Sequence, residues 1–259
     1  MLGAIAGDVL GSIHEFKPVK TKDFELFNHH CSFTDDTVMT VAVAEACMNE
    51  GSYVDSLQTW GRKYPLAGYG SWFGQWIFYE NPEPYNSFGN GSAMRVSSIG
   101  WLFDDEGTVL QKASESAQIT HNHKEGIIGA QAVALGVYLA RKGSTKGQIK
   151  EKIESTFGYS LGRTLEEIRP KYYFNETCQG SVPEAIIAFL EADDFEDTIR
   201  NAISLGGDAD TQACISGALA EAYYQFIPKP IKEFVVSRIT PEMLMVLNDF
   251  HQRVSITLN

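Results

Sequence analysis

The sequence has few of the features that would assign it at once to a class of protein. Its only cysteines are Cys31, Cys47, Cys178 and Cys214. Their spacing fits neither a zinc site nor a disulfide framework, so we expect reduced thiols and a cytoplasmic protein. Lysine and arginine together number 21 against 33 aspartate and glutamate residues, a net charge of −12. That balance argues against binding to nucleic acid or to an anionic membrane.

Long apolar runs are also missing. No stretch reaches the roughly 18 residues of a membrane span. The N-terminal apolar stretch is interrupted by Asp8 and has no basic region before it, so no signal peptide is predicted. Nor does any segment alternate apolar and polar residues between hairpin turns, so no β-sheet is expected. The 259 residues, 44% of them hydrophobic, therefore predict one globular domain over residues 1–259, acting as a monomer.

Helical periodicity runs through almost the whole chain. Within residues 2–13, Gly3, Gly7 and Gly11 line one stripe beside an apolar one, which indicates close backbone packing in a core. Ser92 and Thr108 are predicted to cap two further helices. The helices are expected at residues 2–13, 36–49, 53–64, 71–79, 92–103, from 108, 123–142, around 183, 194–204, 209–226, 229–238 and 241–256. The predicted fold is all-α, a single compact multi-helix orthogonal bundle.

Two acidic clusters stand at the starts of two small, apolar helices. Their hydroxyl and carboxylate side chains are Thr34, Asp35 and Asp36 in the first, and Asp208, Asp210 and Thr211 in the second. Adjacent helical residues point about 100° apart, so one cluster cannot enclose an ion alone. Two facing clusters could hold two hard divalent cations such as Mg²⁺ or Mn²⁺, which require oxygen ligands. The alternative is that both clusters only cap helix N-termini.

A glycine-rich loop, SFGNGSAMR at residues 87–95, precedes another predicted helix. Glycines let backbone N–H groups approach an anion, and a helix N-terminus favours phosphate. The loop is neither a P-loop, because it lacks Gly-Lys-Ser/Thr, nor a dinucleotide fingerprint, because no strand precedes it. An ordinary turn and cap is the alternative. Arg95 forms either a buried ion pair or a ligand contact.

Two more segments supply polar candidates. In THNHKEG, residues 120–126, a histidine at a pocket wall fits better than a transition-metal site, because the oxygen-rich clusters favour a harder ion. The alternative is that Thr120 caps a helix and His123 is solvated. Glu15 lies between the first helix and a loop, where a mobile acid could swing over a site. The alternative places both Asp8 and Glu15 on the surface.

Together these motifs resemble the ADP-ribosylglycohydrolase family over essentially the whole chain. The resemblance is carried, in family order, by GDVLG at residues 7–11 with Glu15 downstream, TDDT at 34–37, GNGSAMR at 89–95, THNH at 120–123 and GGDADT at 206–211. It implies an all-α fold with a binuclear Mg²⁺ or Mn²⁺ site at helix N-termini. It also implies a glycosidase that cleaves the bond between C1″ of ADP-ribose and an acceptor. Lys124 departs from the proline that many members carry there.

The resemblance also implies roles for individual residues. The metal ligands would be Thr34, Asp35, Asp36, Asp208, Asp210 and Thr211. The substrate would be held by Ser87, Phe88, Gly89, Asn90, Gly91 and His121, with Phe88 stacked on a nucleotide ring. Glu15 would act as an acid or a gate, and Asp35 or Asp36 would orient the attacking water.

The acceptor is not fixed by any motif. A protein side chain is the expected acceptor, and a hydrolase of a free ADP-ribose derivative is the alternative. A non-catalytic ADP-ribose-binding regulator is a second alternative, although all six predicted ligand positions are intact. A scaffold whose acidic clusters are only caps is the third.

Overall fold

A computed structural model describes residues 1–254, which form fourteen α-helices, one 3₁₀ turn and no β-strand. The predicted all-α bundle is therefore confirmed. The helices are α1 Leu2–Gly11, α2 Asp35–Met48, α3 Tyr53–Lys63, α4 Ser71–Trp76, α5 Ser97–Leu102, α6 Glu106–Gln118, α7 Lys124–Arg141, α8 Lys146–Phe157, α9 Leu165–Ile168, α10 Cys178–Leu190, α11 Phe195–Ile203, α12 Ala209–Tyr224, α13 Lys229–Val236 and α14 Pro241–Arg253.

Helices α1 and α12 form the centre of the bundle, and every residue of α1 is buried. They touch backbone to backbone because glycine faces the contact. A methyl group on Gly7 would lie 1.9 Å from the Ala213 carbonyl oxygen, and one on Gly217 would lie 2.2 Å from the Gly3 carbonyl oxygen. The predicted glycine packing stripe is thereby confirmed. At its end, a methyl group on Gly11 would lie 2.6 Å from the Asp210 Cα atom, so α1 ends against the start of α12.

The other helices surround this pair. Helix α2 packs on α1, α3, α5 and α14, while α7, α10 and α11 pack on α12. The buried stretch of α2 consists largely of small and medium side chains such as Val41 and Ala42, so it can be covered on several sides. As a result, the N-termini of α2 and α12 face the same side of the bundle as the end of α1.

Several predicted boundaries and caps were wrong. The predicted helix 92–103 is a 3₁₀ turn, Asn90–Ser92, followed by the shorter α5. Ser92 is no cap, because its hydroxyl donates to the Gly126 carbonyl oxygen at 2.7 Å. Asp105, not Thr108, caps α6 and accepts from the Thr108 N–H at 2.7 Å.

Helices α8 and α9 were not predicted, although each begins with a capping box. The predicted last helix, 241–256, ends at Arg253. Residues 255–259, which the single-domain prediction also includes, lie outside the described part. Within residues 1–254, no helix combines the length and the apolar character needed to cross a membrane.

Candidate metal and ligand site

The two acidic clusters, the end of α1 and the glycine loop surround one cleft of about 720 Å³. This volume lies within the roughly 300–1,000 Å³ typical of small-molecule sites. The predicted site residues that line it are Glu15, Asp35, Asp36, Ser87, Phe88, Gly89, Asn90, Gly91, His121, Asp208, Asp210 and Thr211. Thr34 lies beside the lining, with its hydroxyl oxygen 3.4 Å from Asp36 Oδ2.

Two overlapping groups of carboxylates occupy the floor of the cleft. Asp8, Asp36 and Asp210 form one group, and Glu15, Asp208 and Asp210 form the other. In each group, one oxygen from every member lies within 4.8 Å of the others. Asp210 belongs to both groups. Asp35, a predicted ligand, lines the cleft but belongs to neither group.

Asp8 holds the first turn of α2 from outside that helix. Its carboxylate accepts from the Thr34 N–H at 2.9 Å, the Thr34 hydroxyl at 2.6 Å, the Thr37 N–H at 3.0 Å and the Thr37 hydroxyl. Asp8 is completely buried, so its predicted surface alternative is wrong. Sequence reasoning missed this role. The sequence did contain a sign of it: Thr34 and Thr37 are one helical turn apart, and Asp8 is an acid within a helix whose glycines indicate burial.

Asp36 lacks a partner on one side. Its Oδ2 accepts from the Thr211 hydroxyl at 3.2 Å, which links the starts of α2 and α12. Its Oδ1 is buried and has no hydrogen-bond partner within the described residues. A buried carboxylate oxygen without a donor is costly. A cation at this position would supply the missing partner.

The carboxylates also lack positive neighbours. Burial, followed by repulsion from nearby carboxylates, raises the pKa values of Asp35, Asp36 and Asp210 well above their usual range. Across residues 1–254, no lysine or arginine forms an ion pair with any of them. Bound cations would offset this repulsion, so the donor set fits a metal site.

In the second cluster, Asp208 does not act as a helix cap, although Asp210 Oδ1 accepts from the Thr211 N–H in the first turn at 3.0 Å. Asp208 occupies the N-cap position of α12 but makes no capping hydrogen bond with its side chain. Its Oδ2 instead accepts from Asn90 Nδ2 at 2.7 Å. The cap interpretation is therefore wrong for Asp208. It holds in part for the first cluster, where the Thr34 hydroxyl oxygen accepts from the Asp36 N–H at 3.3 Å.

The paired glycines before Asp208 are required by the turn. Gly206 has a φ of +63°, a conformation that side chains rarely adopt. A methyl group on Gly207 would lie 2.3 Å from the Tyr172 ring. These constraints bring the Asp208 carboxylate to the floor of the cleft.

Glu15 lies near the mouth of the cleft, half-buried, within the second acid group. Burial, with repulsion from Asp208, raises the pKa of its carboxyl to about 7. The next residue, Phe16, is 79% exposed, and its ring stacks on Phe174 with centroids 6.0 Å apart. The predicted position beside the acidic clusters is therefore found in the structure.

The glycine loop is fixed by pairing with the segment before α10. The Asn90 N–H donates to the Glu176 carbonyl oxygen at 2.8 Å, and the Cys178 N–H donates to the Phe88 carbonyl oxygen at 2.8 Å. The Gly89 N–H donates to the Ser87 hydroxyl at 3.1 Å. The Gly89 and Asn90 amides are thus used inside the protein. The Asn90 side-chain amide is also bonded within the protein, because it donates to Asp208.

The two histidines of the THNH motif have different roles. His123 caps α7 by accepting from the Glu125 N–H at 3.1 Å, so the proposed Thr120 cap is wrong. His121 is 5% exposed and lies in the cleft wall. Phe88 is 45% exposed, with its ring centroid 5.3 Å from that of His123.

Arg95 is buried in the cleft wall next to His121. The predicted ion pair is wrong, and the alternative, a ligand contact, stays a prediction. In the described chain it has no acidic partner. Its guanidinium donates to the Ser116 carbonyl oxygen at 2.5 Å and to the Thr120 hydroxyl at 3.1 Å. Arg95 therefore contributes a positive charge close to His121 that no carboxylate neutralises.

Comparison with known proteins gives a consistent result. The sequence model of the ADP-ribosylglycohydrolase family matches residues 1–248. An ADP-ribosylhydrolase, ARH3, from Gallus gallus is 30% identical over 307 residues, covering 86% of this chain and 84% of that protein. The ADP-ribosylarginine hydrolase Tri1 of Pseudomonas putida is 24% identical, covering 86% and 69%. A solved structure described as an ADP-ribosylglycohydrolase-related protein complex has a TM-score of 0.75 at 25% identity, covering 98% of this chain and 95% of that one.

These relatives agree with the fold described above. The predicted hydrolase of ADP-ribosyl bonds is confirmed at the level of the family, as is the predicted fold. Because the family model spans nearly the whole sequence and the Gallus gallus relative is matched along most of its length, this chain belongs to the ADP-ribosylglycohydrolase family.

Proposed function

We propose that the cleft hydrolyses the bond between C1″ of ADP-ribose and a modified protein side chain, releasing ADP-ribose, with two Mg²⁺ or Mn²⁺ ions as cofactors. The observation that carries this proposal is the pair of carboxylate groups that share Asp210. Two groups with one common member suit two neighbouring cations with a bridging ligand. The adjoining glycine loop and His121 offer a polar wall for the nucleotide.

The ions would be held by Thr34, Asp35, Asp36, Asp208, Asp210 and Thr211. The Thr34 hydroxyl fits this role because it donates its hydrogen to Asp8. Its oxygen lone pairs then point away from Asp8 and are available to a cation. Asp36 Oδ1 fits because it has no other partner among residues 1–254. When bound, divalent cations supply the positive charge that polarises sugar hydroxyls and makes a nucleophilic water available at neutral pH.

Proton transfer would be shared between two carboxyls. Glycosidic bonds break through an oxocarbenium-like state, which an acid assists by protonating the leaving group. Glu15 suits the acid role because it is half-buried beside Asp208 in the cleft, where burial and that neighbour raise the pKa of its carboxyl. Asp35 or Asp36 would orient the water. Asp35 is favoured because it stands outside both carboxylate groups and still lines the cleft.

Substrate binding would use the opposite wall. Residues 87–91 would form the surface that holds the diphosphate and ribose, although the Gly89 and Asn90 amides are already bonded within the protein. Phe88 would stack on a ring of the nucleotide, and His121 would contact the distal part of the ligand. The exposed ring of Phe88 is available for stacking, which is worth about 1–3 kcal/mol per base. At the rim, Phe16 and Trp72 are 79% and 69% exposed, which leaves the cleft accessible to a bulky protein acceptor.

The charge, the cysteines and the composition of the site also bear on the partner, the location and the oligomeric state of the protein. We infer a protein partner rather than nucleic acid or membrane, because the net charge of −12 opposes polyanions. The four cysteines form no disulfide, in keeping with a cytoplasmic site of action. A monomer suffices, since all the predicted ligands come from one chain.

The deciding experiment measures ADP-ribose release from a panel of substrates. The panel contains proteins modified on arginine, proteins modified on serine, and a free O-acylated ADP-ribose, each with Mg²⁺, Mn²⁺ or EDTA. We expect metal-dependent release from one class of modified protein. Release only from the free derivative would favour the metabolite hydrolase. ADP-ribose binding without any release would contradict the proposal and indicate a regulator.

A further inference from the structure

The cleft wall beside His121 contains a buried arginine that no acid neutralises. The Arg95 side chain is 1% exposed, and in residues 1–254 its Nε has no hydrogen-bond partner. Burying an unpaired charge is costly, and that cost is seldom retained without a use. Both hydrogen bonds that its guanidinium makes within these residues come from Nη2, which donates to the Ser116 carbonyl oxygen and to the Thr120 hydroxyl.

The second of these bonds fixes the direction of a proton. A threonine hydroxyl has a single hydrogen, and an arginine N–H can only donate. The Thr120 oxygen accepts from Arg95, and among residues 1–254 this buried hydroxyl has only one other hydrogen-bond neighbour. Its hydrogen would be buried without an acceptor unless it is donated to that neighbour. That neighbour is His121 Nδ1, at 2.7 Å. Nδ1 therefore accepts, and in a neutral imidazole the ring proton must be on Nε2.

The ring of His121 is held so that Nε2 faces the glycine loop. A methyl group on Gly91 would lie 3.3 Å from Nε2, and one on Gly89 would lie 3.6 Å from it. On the other side, a methyl group on Gly126 would lie 2.9 Å from His121 Cβ, so the ring base is tightly packed. The Tyr85 N–H donates to the Thr120 carbonyl oxygen at 3.3 Å, which ties down the backbone as well.

Charge also keeps this imidazole neutral. Burial, with the positive charge of Arg95 as a second cause, lowers the pKa of His121 well below its usual range. A protonated ring would place two positive groups side by side in a buried site. Neutral His121 with its hydrogen on Nε2 is thus the state that satisfies Arg95, Thr120 and the ring together.

We propose that Arg95 and Thr120 are positioning residues that hold His121 as its Nε2–H tautomer, so that Nε2 donates a hydrogen bond to a ligand oxygen lying against the glycine loop. The oxygen acceptor belongs to ADP-ribose, which rests on the proposed function. The opposite tautomer would present a lone pair to that oxygen and repel it. Arg95 thereby acts on the ligand through Thr120 and His121.

The first test reads the tautomer directly. Nitrogen-15 NMR of the imidazole rings distinguishes a protonated Nε2 from a protonated Nδ1, and a His121→Gln sample identifies the His121 signals. We expect Nε2–H in the wild-type protein. A wild-type ring with its hydrogen on Nδ1 overturns the proposal whatever the variants do.

The second test removes the relay and measures ADP-ribose affinity by calorimetry. Thr120→Val has nearly the same shape but no hydroxyl, so the tautomers should mix and affinity should fall about tenfold, the worth of one hydrogen bond. Thr120→Ser keeps the hydroxyl and should restore both the tautomer and the affinity. Thr108→Val, at the start of α6, is the matched control and should change neither.

The remaining outcomes separate the relay from the proposed function. If Thr120→Val does not fold, Arg95→Met tests the same step, because Thr120 then loses its fixed donor and can accept from Nδ1. A relay variant that binds ADP-ribose as tightly as the wild type overturns the relay alone. A wild-type protein that does not bind ADP-ribose overturns the proposed function and the ligand contact, while the NMR result still decides the tautomer.

Discussion

The starts of α2 and α12 look alike in sequence but are supported in different ways. At α2, Asp8 binds both Thr34 and Thr37 from the neighbouring helix, and Asp35 and Asp36 are left facing the cleft. At α12, the position of Asp208 is set by the turn at Gly206 and Gly207, with Asn90 bonded to its carboxylate. The shared pattern of acids and hydroxyls is therefore not explained by one way of capping a helix.

The electrostatics of the two starts lead to the same conclusion. A helix N-terminus favours a carboxylate by about 0.3–1 kcal/mol. One unit of pKa corresponds to about 1.36 kcal/mol. The pKa values of Asp36 in α2 and Asp210 in α12 are both raised well above normal, so burial and mutual repulsion outweigh the helix dipole at both ends. A site that concentrates acids against their own repulsion must take up protons or cations, and the proposed ions would supply that positive charge.

The largest effect is expected where the two starts meet. Asp210 belongs to both carboxylate groups, whereas Asp36 belongs to one. Asp210→Asn should therefore lose both ions and lower turnover by about 10⁴-fold or more, since a metal supplies several kcal/mol of charge stabilisation. Asp36→Asn should retain more metal than Asp210→Asn. Elemental analysis of the dialysed proteins, with ADP-ribose release, measures both quantities.

A helix-start acid outside the cleft provides the control for these variants. Asp105→Asn changes an acid that only caps α6 and should leave metal content and turnover unchanged. If Asp210→Asn retained two ions, the shared-ligand interpretation would have to be abandoned.

The second largest effect is expected at Glu15, which belongs only to the carboxylate group of Asp208 and Asp210. Glu15→Gln should reduce turnover by about 10²- to 10⁴-fold, the contribution of a positioned acid. Binding of ADP-ribose should remain nearly intact, because the nucleotide wall is unchanged. Steady-state kinetics and calorimetry test the two halves of this prediction.

Glu176→Gln is the matched comparison, because Glu176 also lines the cleft but lies in neither carboxylate group. It should have a far smaller effect. Equal losses of turnover in the two variants would mean that any carboxyl group lining the cleft supports turnover, and that the position of Glu15 is not special.

The third effect is on stability and is specific to α2. Asp8→Asn replaces one acceptor oxygen by an amide group that faces the donors of Thr34 and Thr37. Leaving buried donors unpaired should lower the free energy of unfolding by about 3 kcal/mol, measured in urea with EDTA. Metal affinity should also fall about 10- to 100-fold, because Thr34 loses its orientation. A variant as stable as the wild type would show that α2 needs no external anchor.

Much of the fold was predictable because helical periodicity reports which face is buried. The glycine stripe of α1 and the apolar α12 were predicted because their packing uses nearly every residue. Helix α8 was missed because it buries only Ile149 and Ile153, too few positions for a clear period. Its capping box, from Thr145 to Gln148, was a signal in the sequence that was not used.

The site was only partly predictable, for a different reason. The residue types of the two clusters indicated oxygen ligands, and the structure brings them to one cleft. The supporting contacts join distant parts of the chain: Asn90 and Asp208 are 118 residues apart, and a local pattern cannot show that they meet. The role of Asp8 was hidden for the same reason, since its partners lie in a different helix.

The smallest expected effect links metal and protons. At a free metal concentration 100 times the Kd, binding should stabilise the fold by about 2.7 kcal/mol, provided that the unfolded chain does not bind. The pKa of Glu15 is about 7 in the folded protein and about 4.3 in an unfolded chain. Between these pH values the Glu15 carboxyl is therefore protonated in the folded protein and ionised in the unfolded chain. This contribution to stability is complete below about pH 4.3 and is lost as pH rises through 7. Metal competes with that proton, so the stabilisation by metal should grow with pH.

The measurement is the difference in Tm between Mg²⁺ and EDTA samples from pH 5.5 to pH 8. Taking the difference removes groups outside the site, including His14, whose pKa is lowered by burial and which acts in the opposite direction. We expect the gap to widen towards pH 8, reaching about 5–10 °C for a protein of this size. In Glu15→Gln, the gap should depend less on pH, because one competing proton is gone. A difference in Tm that is the same at every pH would contradict competition between metal and protons at the cleft. No difference in Tm at saturating Mg²⁺ would mean that both acidic clusters bind no metal and only cap their helices.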